Sequence, residues 1–247
     1  MSWAKFCLYC VFIGVIFFVF SFYRASCEET PVPEEKWKLL WEEKFDKDLS
    51  NWVVEGPAVV EIRQRRLYIE PVAKKEGEVP MPGVLVWHKE DLPETFKLEF
   101  DFTPKSRAGF FLLFFLAKGL KGEDIFDPSL PERGGEFSKY VNGAIECYHI
   151  SYRRGTQGNC NLRKNPGKTL VKSEPKGFYG EVDKTSHLVL VKKGPEITLT
   201  ADGKEIMRWI DDGKTYGPVL GVGKIGLRQV YHTSAFYDNI KAWSLAE

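Results

Sequence analysis

The chain lacks an excess of charge of either sign, has little cysteine, and shows no convincing amphipathic helix longer than a few turns. With 35 Lys and Arg against 34 Asp and Glu, its formal net charge is +1. No whole-molecule field therefore gathers nucleic acid or an anionic membrane, and nucleic acid is excluded as an expected partner. Any anion must be recognised by a local patch. Five cysteines in 247 residues are too few for a disulfide scaffold. There is no metal-ligand spacing of His and Cys, no Gly-rich phosphate loop and no serine nucleophile elbow, so neither a metal nor a cofactor is expected. Gly221-Val222-Gly223 reads as a turn. At 43% hydrophobic and 14% aromatic, the composition also excludes disordered, collagen-like and coiled-coil classes and leaves room for one large domain.

What is present begins with an address. Phe6–Tyr23 carries no charge, Lys5 precedes it and Arg24 follows, which is the charged n-region and apolar h-region of an export segment. Residues 1–27 read as a signal peptide or an uncleaved membrane anchor through residues 6–23, residues 28–36 as an acidic, proline-containing linker, and residues 37–247 as the exported domain. An extracytoplasmic location is expected.

From Trp37 onward, short β-branched and aromatic runs alternate with Gly, Pro, Asp and Asn, which reads as all-β. Candidate strands are Leu39–Phe45, Val59–Arg63, Leu67–Glu70, Val84–Trp87, Phe96–Thr103, Phe110–Ala117, Ala144–Tyr152, Asn161–Lys164, His187–Lys192, Ile197–Ala201, Glu205–Ile210, Lys224–Leu227 and Ala235–Ser244. Asp202-Gly203 is a two-residue hairpin signal. The run Phe110–Leu116 is too short to span a membrane and too apolar to have a wet face, so it reads as a central strand buried on both sides. This many strands fit a large two-sheet antiparallel jelly-roll sandwich.

The ending Lys224-Ile225-Gly226-Leu227-Arg228, followed by Ala235–Trp243, and the hairpin His187–Ile210 resemble the closing strands of concanavalin A-like lectin/glucanase sandwiches. More specific are Ala144-Ile145-Glu146-Cys147-Tyr148-His149-Ile150-Ser151-Tyr152-Arg153, the following Cys160–Asn165, Leu98–Phe102 and the Gly-rich stretch near Gly134. These resemble domain-of-unknown-function family 1961, the YesU-like proteins, over most of Trp37–Trp243. The resemblance implies the fold and an association with polysaccharides, without a reaction.

Between Cys147 and Ser173 there is no acidic residue, whereas Arg153, Arg154, Arg163, Lys164, Lys168 and Lys172 fall there with His149 among them. This is either a solvated loop paired with acids from elsewhere or a recognition surface. Tyr148, Tyr152, Asn161 and Asn165 interleave with the cations, and guanidinium forks suit carboxylate or sulfate, so the set favours an anionic carbohydrate. Alternation places Cys147, His149, Ser151 and Arg153 on one face of their strand and Glu146, Tyr148, Ile150 and Tyr152 on the other. The first face is preferred for a groove, the second replaces it if the strand is bulged. On the next strand, Asn161 and Arg163 are placed in the groove, opposite Cys160, Leu162 and Lys164. Arg153, Asn161, Arg163 and Lys164 are the candidate substrate-binding residues. His149 is alternatively a hydrogen-bonded core histidine.

Retaining hydrolysis needs two carboxylates about 5–5.5 Å apart, and the strand supplies Glu146 alone, with the acidic stretch Glu123–Glu136 as a further source or an exposed loop. Surrounding cations would hold a carboxylate ionised and draw a phenol or imidazole toward neutrality. β-Elimination from a uronic acid, with His149, Tyr148 or Tyr152 moving the proton and Asn161 or Arg163 neutralising the carboxylate, is therefore expected ahead of hydrolysis. The alternative is a non-catalytic glycan-binding module. Cys147 and Cys160, on consecutive strands of an exported chain, are either a disulfide or two buried thiols. Trp87, Trp209, Tyr179 and Tyr216 are sugar platforms or core.

Overall fold

The computed structural model describes residues 36–72, 83–107, 109–154, 158–230 and 232–246, so the expected export segment and most of the expected linker lie outside the described residues. Its strands are β1 (Trp37–Glu43), β2 (Trp52–Glu55), β3 (Ala58–Arg63), β4 (Arg66–Pro71), β5 (Val84–Leu92), β6 (Phe96–Pro104), β7 (Phe110–Gly119), β8 (Ile145–Arg154), β9 (Cys160–Asn165), β10 (Thr169–Glu174), β11 (Ser186–Lys193), β12 (Glu196–Ala201), β13 (Lys204–Ile210), β14 (Gly223–Gln229) and β15 (Ala235–Leu245). A single short helix, α1 (Phe137–Val141), lies between β7 and β8 among the described residues. The pairings are antiparallel.

Two sheets result. One runs β13-β12-β11-β6-β15-β4-β3, with β1 also pairing β15, and the other runs β10-β9-β8-β7-β14-β5-β2. Period-2 alternation makes each sheet one-sided toward the other. Phe96, Leu98, Phe100 and Phe102 of β6, with Leu188 and Leu190 of β11, meet Phe111, Leu113 and Phe115 of β7, Tyr148 and Ile150 of β8 and Ile225 and Leu227 of β14 in the main core. This is the two-sheet jelly-roll sandwich read from the sequence. Asp202 and Gly203 form the expected hairpin turn, both with positive φ (50° and 76°), which the type I′ geometry requires.

From Phe111 to Ala117 the apolar run of β7 is buried on both sides because residues 120–144 lie over the outward face of the second sheet, whereas Phe110, expected to be buried with them, is exposed. On that outward face, Ile125, Tyr140 and Val141 pack on Leu85, Trp87, Leu112, Phe114 and Cys147. Two strands escaped the sequence reading. β2 is four residues long, and β10, with the pattern Thr-Leu-Val-Lys-Ser-Glu, is a half-exposed edge strand inside the basic segment.

At one end of the sandwich, the Lys164 ammonium donates to Asp211 Oδ2 (2.7 Å) and to the carbonyls of Gly217 (2.9 Å) and Pro218 (2.6 Å). Tyr148 donates its hydroxyl proton to the same Asp211 oxygen at 2.5 Å and accepts from Leu220 N–H at 3.1 Å. This network ties the β13–β14 connection to β8 and β9. Burial pushes the Asp211 carboxyl up, but hydrogen bonds from Lys164, Tyr148 and Gly213 outweigh it and hold the group below the ordinary carboxylate range. Removing one partner strands a buried charge, so Lys164→Met is expected to cost about 3–5 kcal/mol in chemical denaturation, with part of the loss recovered in Lys164→Met/Asp211→Leu. Unchanged stability in the single variant would contradict this account.

Candidate functional site

Beside the 120–144 layer, the remaining outward face of the second sheet opens as a groove of about 520 Å³. Its floor is Asn161 and Arg163 of β9, His149 and Ser151 of β8, Phe110 and Leu112 of β7, and Arg228 of β14, with Val230 just beyond; Phe137 and Lys168 rise at its sides. Among the described residues, three cations line it and no carboxylate does.

The floor follows from strand alternation. Ile150, Leu162, Ile225 and Leu227 turn into the main core, so His149, Ser151, Asn161, Arg163 and Arg228 turn outward. His149 is 1% exposed, stacked on Phe114 at 4.8 Å and met edge-on by Phe137. The Asn165 amide nitrogen donates to Cys147 O (3.2 Å) and lies 2.9 Å from His149 Nδ1. That nitrogen therefore accepts and the ring proton sits on Nε2. Burial, reinforced by Arg163, Arg228 and Lys168, pushes the imidazole down to about 3. The ring is a neutral hydrogen-bond donor.

Arg228 is 1% exposed, and burial lowers its pKa to about 10, which leaves it charged near neutrality. Its Nη2 donates to Gly135 O at 3.0 Å, and the guanidinium lies 5.0 Å from the Phe137 ring centre and 5.2 Å from that of Tyr140. Nε and Nη1 have no hydrogen-bond partner among the described residues, so three of the five N–H bonds lack an acceptor. At the opposite side of the groove, Arg163 Nη1 donates to Lys168 O (3.0 Å), and Asn161 Oδ1 accepts from Ser173 Oγ (2.7 Å).

Other candidates from the sequence lie elsewhere. Tyr148 and Tyr152 face the main core, where Tyr148 bonds Asp211 and the Tyr152 hydroxyl is 3.1 Å from that of Tyr237. Burial, aided by these partners, raises both phenols rather than drawing them toward neutrality. Between Ser151 and Arg153 the β7–β8 register shifts, so Phe111 opposes Arg153 while Leu112 opposes Ser151. The irregularity takes Arg153 out of the groove; it is buried over Phe111, donating Nε–H to Gly180 O at 2.8 Å.

Lys164 is held by Asp211. Glu146 lines a separate hollow of about 160 Å³ with Lys164 and Tyr216, where burial raises its carboxyl against the opposing pull of Lys164, opposite in direction to the lowering expected from surrounding cations. The acidic stretch supplies no groove residue: Asp124 pairs with Lys224 (2.7 Å), Asp127 accepts from Ser129 N–H (2.8 Å), and Glu136 holds Ser138 and Lys139. Cys147 and Cys160 are not joined to each other: they face opposite sides of the sheet and are buried in different cores. Trp87 is core, and Trp209, Tyr179 and Tyr216 lie outside the groove. Among the described residues, no cluster of three His, Cys, Asp or Glu side chains fits a metal.

Arg228 and Phe137, with the apolar lining residues Phe110, Leu112 and Val230, are the groove residues the sequence reading missed. For Arg228 a signal existed: in Lys224-Ile225-Gly226-Leu227-Arg228, Ile225 and Leu227 face the core, so the arginine must face outward.

A sandwich whose second sheet carries such a groove is a concanavalin A-like or galectin-like domain. This chain belongs to the family described as Domain of unknown function (DUF1961), whose model matches residues 38–242. It is 34% identical to the uncharacterized protein YesU of Bacillus subtilis, over 77% of this chain and 87% of YesU. A crystal structure of a Bacillus subtilis protein of unknown function with a galectin-like fold superposes with a TM-score of 0.77 at 30% identity, covering 86% of this chain and 99% of that one. The carbohydrate-binding module CBM66 from Bacillus subtilis superposes at 0.50 with 13% identity, covering 77% and 93%, a likeness of fold alone.

The state of His149 is measurable. An unfolded histidine takes its proton near pH 6.5, whereas the folded ring does so only near 3. Its contribution to stability is therefore complete above about 6.5 and is lost progressively as the pH falls toward 3. Its imidazole NMR resonances, assigned by comparison with His149→Gln, are expected to show Nε2 protonation and no titration from pH 8 to 5. A midpoint near 6.5 would contradict it.

Proposed function

We propose that the groove binds an anionic carbohydrate and that the domain is a recognition module. The observation that carries this is the lining: Arg163, Lys168 and Arg228 with no carboxylate among the described residues, on a floor where Asn161 and Ser151 offer polar groups to sugar hydroxyls and Phe110 and Phe137 offer ring faces. His149 adds a neutral donor that stays neutral across the physiological range. Carbohydrate recognition in CBM66, as its name states, agrees with this use of the fold. An export segment at residues 6–23 would bring the groove to polysaccharides outside the cytoplasm.

Binding fits the geometry better than either reaction. Elimination needs a base and a proton donor facing the sugar, but the tyrosines face the core and His149 Nδ1 accepts from Asn165. Retaining hydrolysis needs two carboxylates, and the described lining has none. The test is titration of the protein with uronic, sulfated and neutral polysaccharides, recording heat, ultraviolet absorbance and reducing ends together. Acidic glycans are expected to bind, without product. Arg163→Ala should weaken that binding by about 1.5–3 kcal/mol, roughly 10- to 100-fold, with little change in melting temperature. Equal binding of neutral glycans would overturn the anionic preference, and an ultraviolet-absorbing unsaturated product would overturn the module.

A further inference from the structure

The groove has two unlike ends. It crosses the second sheet from β9 to β14, and at β14 it is shut. The guanidinium of Arg228 lies under the turn at Gly135, whose carbonyl accepts both from Arg228 Nη2 (3.0 Å) and from Gly83 N–H (3.2 Å). A Cβ on Gly135 would stand 2.2 Å from Gly83 O and 2.9 Å from Gly56 Cα, and one on Gly83 would stand 2.5 Å from Gln229 O. Three glycines from distant segments thus bring backbones together with no room for a chain to pass. Along the strands toward Phe114 and Cys147 the face is covered as well, because those two residues lie beneath the layer carrying Tyr140. At β9 the opposite holds. Beyond Asn161 and Arg163 lies edge strand β10, where Leu170 and Ser173, paired with Arg163 and Asn161, are exposed.

The closed end also carries a charge that lacks compensation among the described residues. Glu55, the acid that acts on Arg228, is held by Arg133 through Nε (3.2 Å) and Nη2 (2.5 Å). A buried cation with unmade hydrogen bonds is costly until an anion lies beside it. One such cation at a blind end suits one anionic group. An internal unit of a polymer must have chain leaving on both sides, which the blind end does not permit.

We infer that the groove holds the terminal unit of an acidic glycan chain, its charged group toward the blind end at Arg228 and the rest of the chain leaving over Asn161 and Arg163 toward β10. This rests on the anionic-carbohydrate reading above. The experiment is calorimetric and sedimentation stoichiometry of the wild-type protein with oligogalacturonates and with chondroitin sulfate chains, each in lengths of roughly four and roughly twenty units. One protein per chain at both lengths, with affinity per chain unchanged within about twofold, is the expected result, because a recognised end occurs once whatever the length. Stoichiometry or affinity that grows with length would overturn end recognition while leaving anionic binding intact. Absence of binding to every chain would overturn both.

Discussion

The packing of residues 120–144 on the outward face of the seven-stranded sheet is the constraint on which the site depends. That contact buries Trp87, Phe114, Tyr140 and Ile125 in a second, smaller core, each large side chain contributing about 1.5–3 kcal/mol. It explains why β7 is apolar on both faces, an arrangement that would otherwise expose a hydrophobic stripe to water. By covering half the sheet it also bounds the uncovered half. The same segment carries Phe137 to the side of the groove and Gly135 onto Arg228. Fold stability and groove shape are therefore one feature, and loss of this layer would open the floor and unwall it together.

The electrostatics of the groove run against stability. Several buried cations elsewhere are paired with acids: Lys164 with Asp211, Arg133 with Glu55, Lys224 with Asp91 and Asp124. In the groove, by contrast, three cations stand around a histidine held neutral, and burial lowers the proton affinity of Arg228 itself. Such a concentration of like charge destabilises the empty state. A site arranged in this way gains most from an anion that supplies the missing charge, and least from a carboxylate of its own.

Much of this was legible in the sequence, and the rest was hidden for physical reasons. The run Phe110–Leu116 declared a central strand, and alternation on β9 put Asn161 and Arg163 outward, because Cys160 and Leu162 are fit for a core. On β8 the same rule placed His149 and Ser151 outward but failed at Arg153, since no sequence signal marks the irregularity between Ser151 and that residue. Lys164 looked like part of a basic patch because its partner, Asp211, is 47 positions away. The composition of a segment shows an excess of charge and does not show which acids fold back onto it. Arg228 and Phe137 reach the groove from β14 and from the 120–144 layer, so only the assembled sheet joins them to His149.

The near-zero net charge fixes the range over which the groove acts. At physiological salt, exposed charges are screened beyond about 8 Å, and a chain with formal charge +1 has no long-range field to add. On the proposed reading, acidic polymers would therefore not be drawn in from a distance, and selectivity would arise after contact, where Arg228 lies in surroundings drier than bulk water and its interaction with an anion is correspondingly stronger. Lys168 is exposed and screened, whereas Arg163 is intermediate. The three cations are thus unequal. The exposed one would add little beyond encounter, and the discrimination between charged and neutral sugars that the proposal requires would grow with depth in the groove.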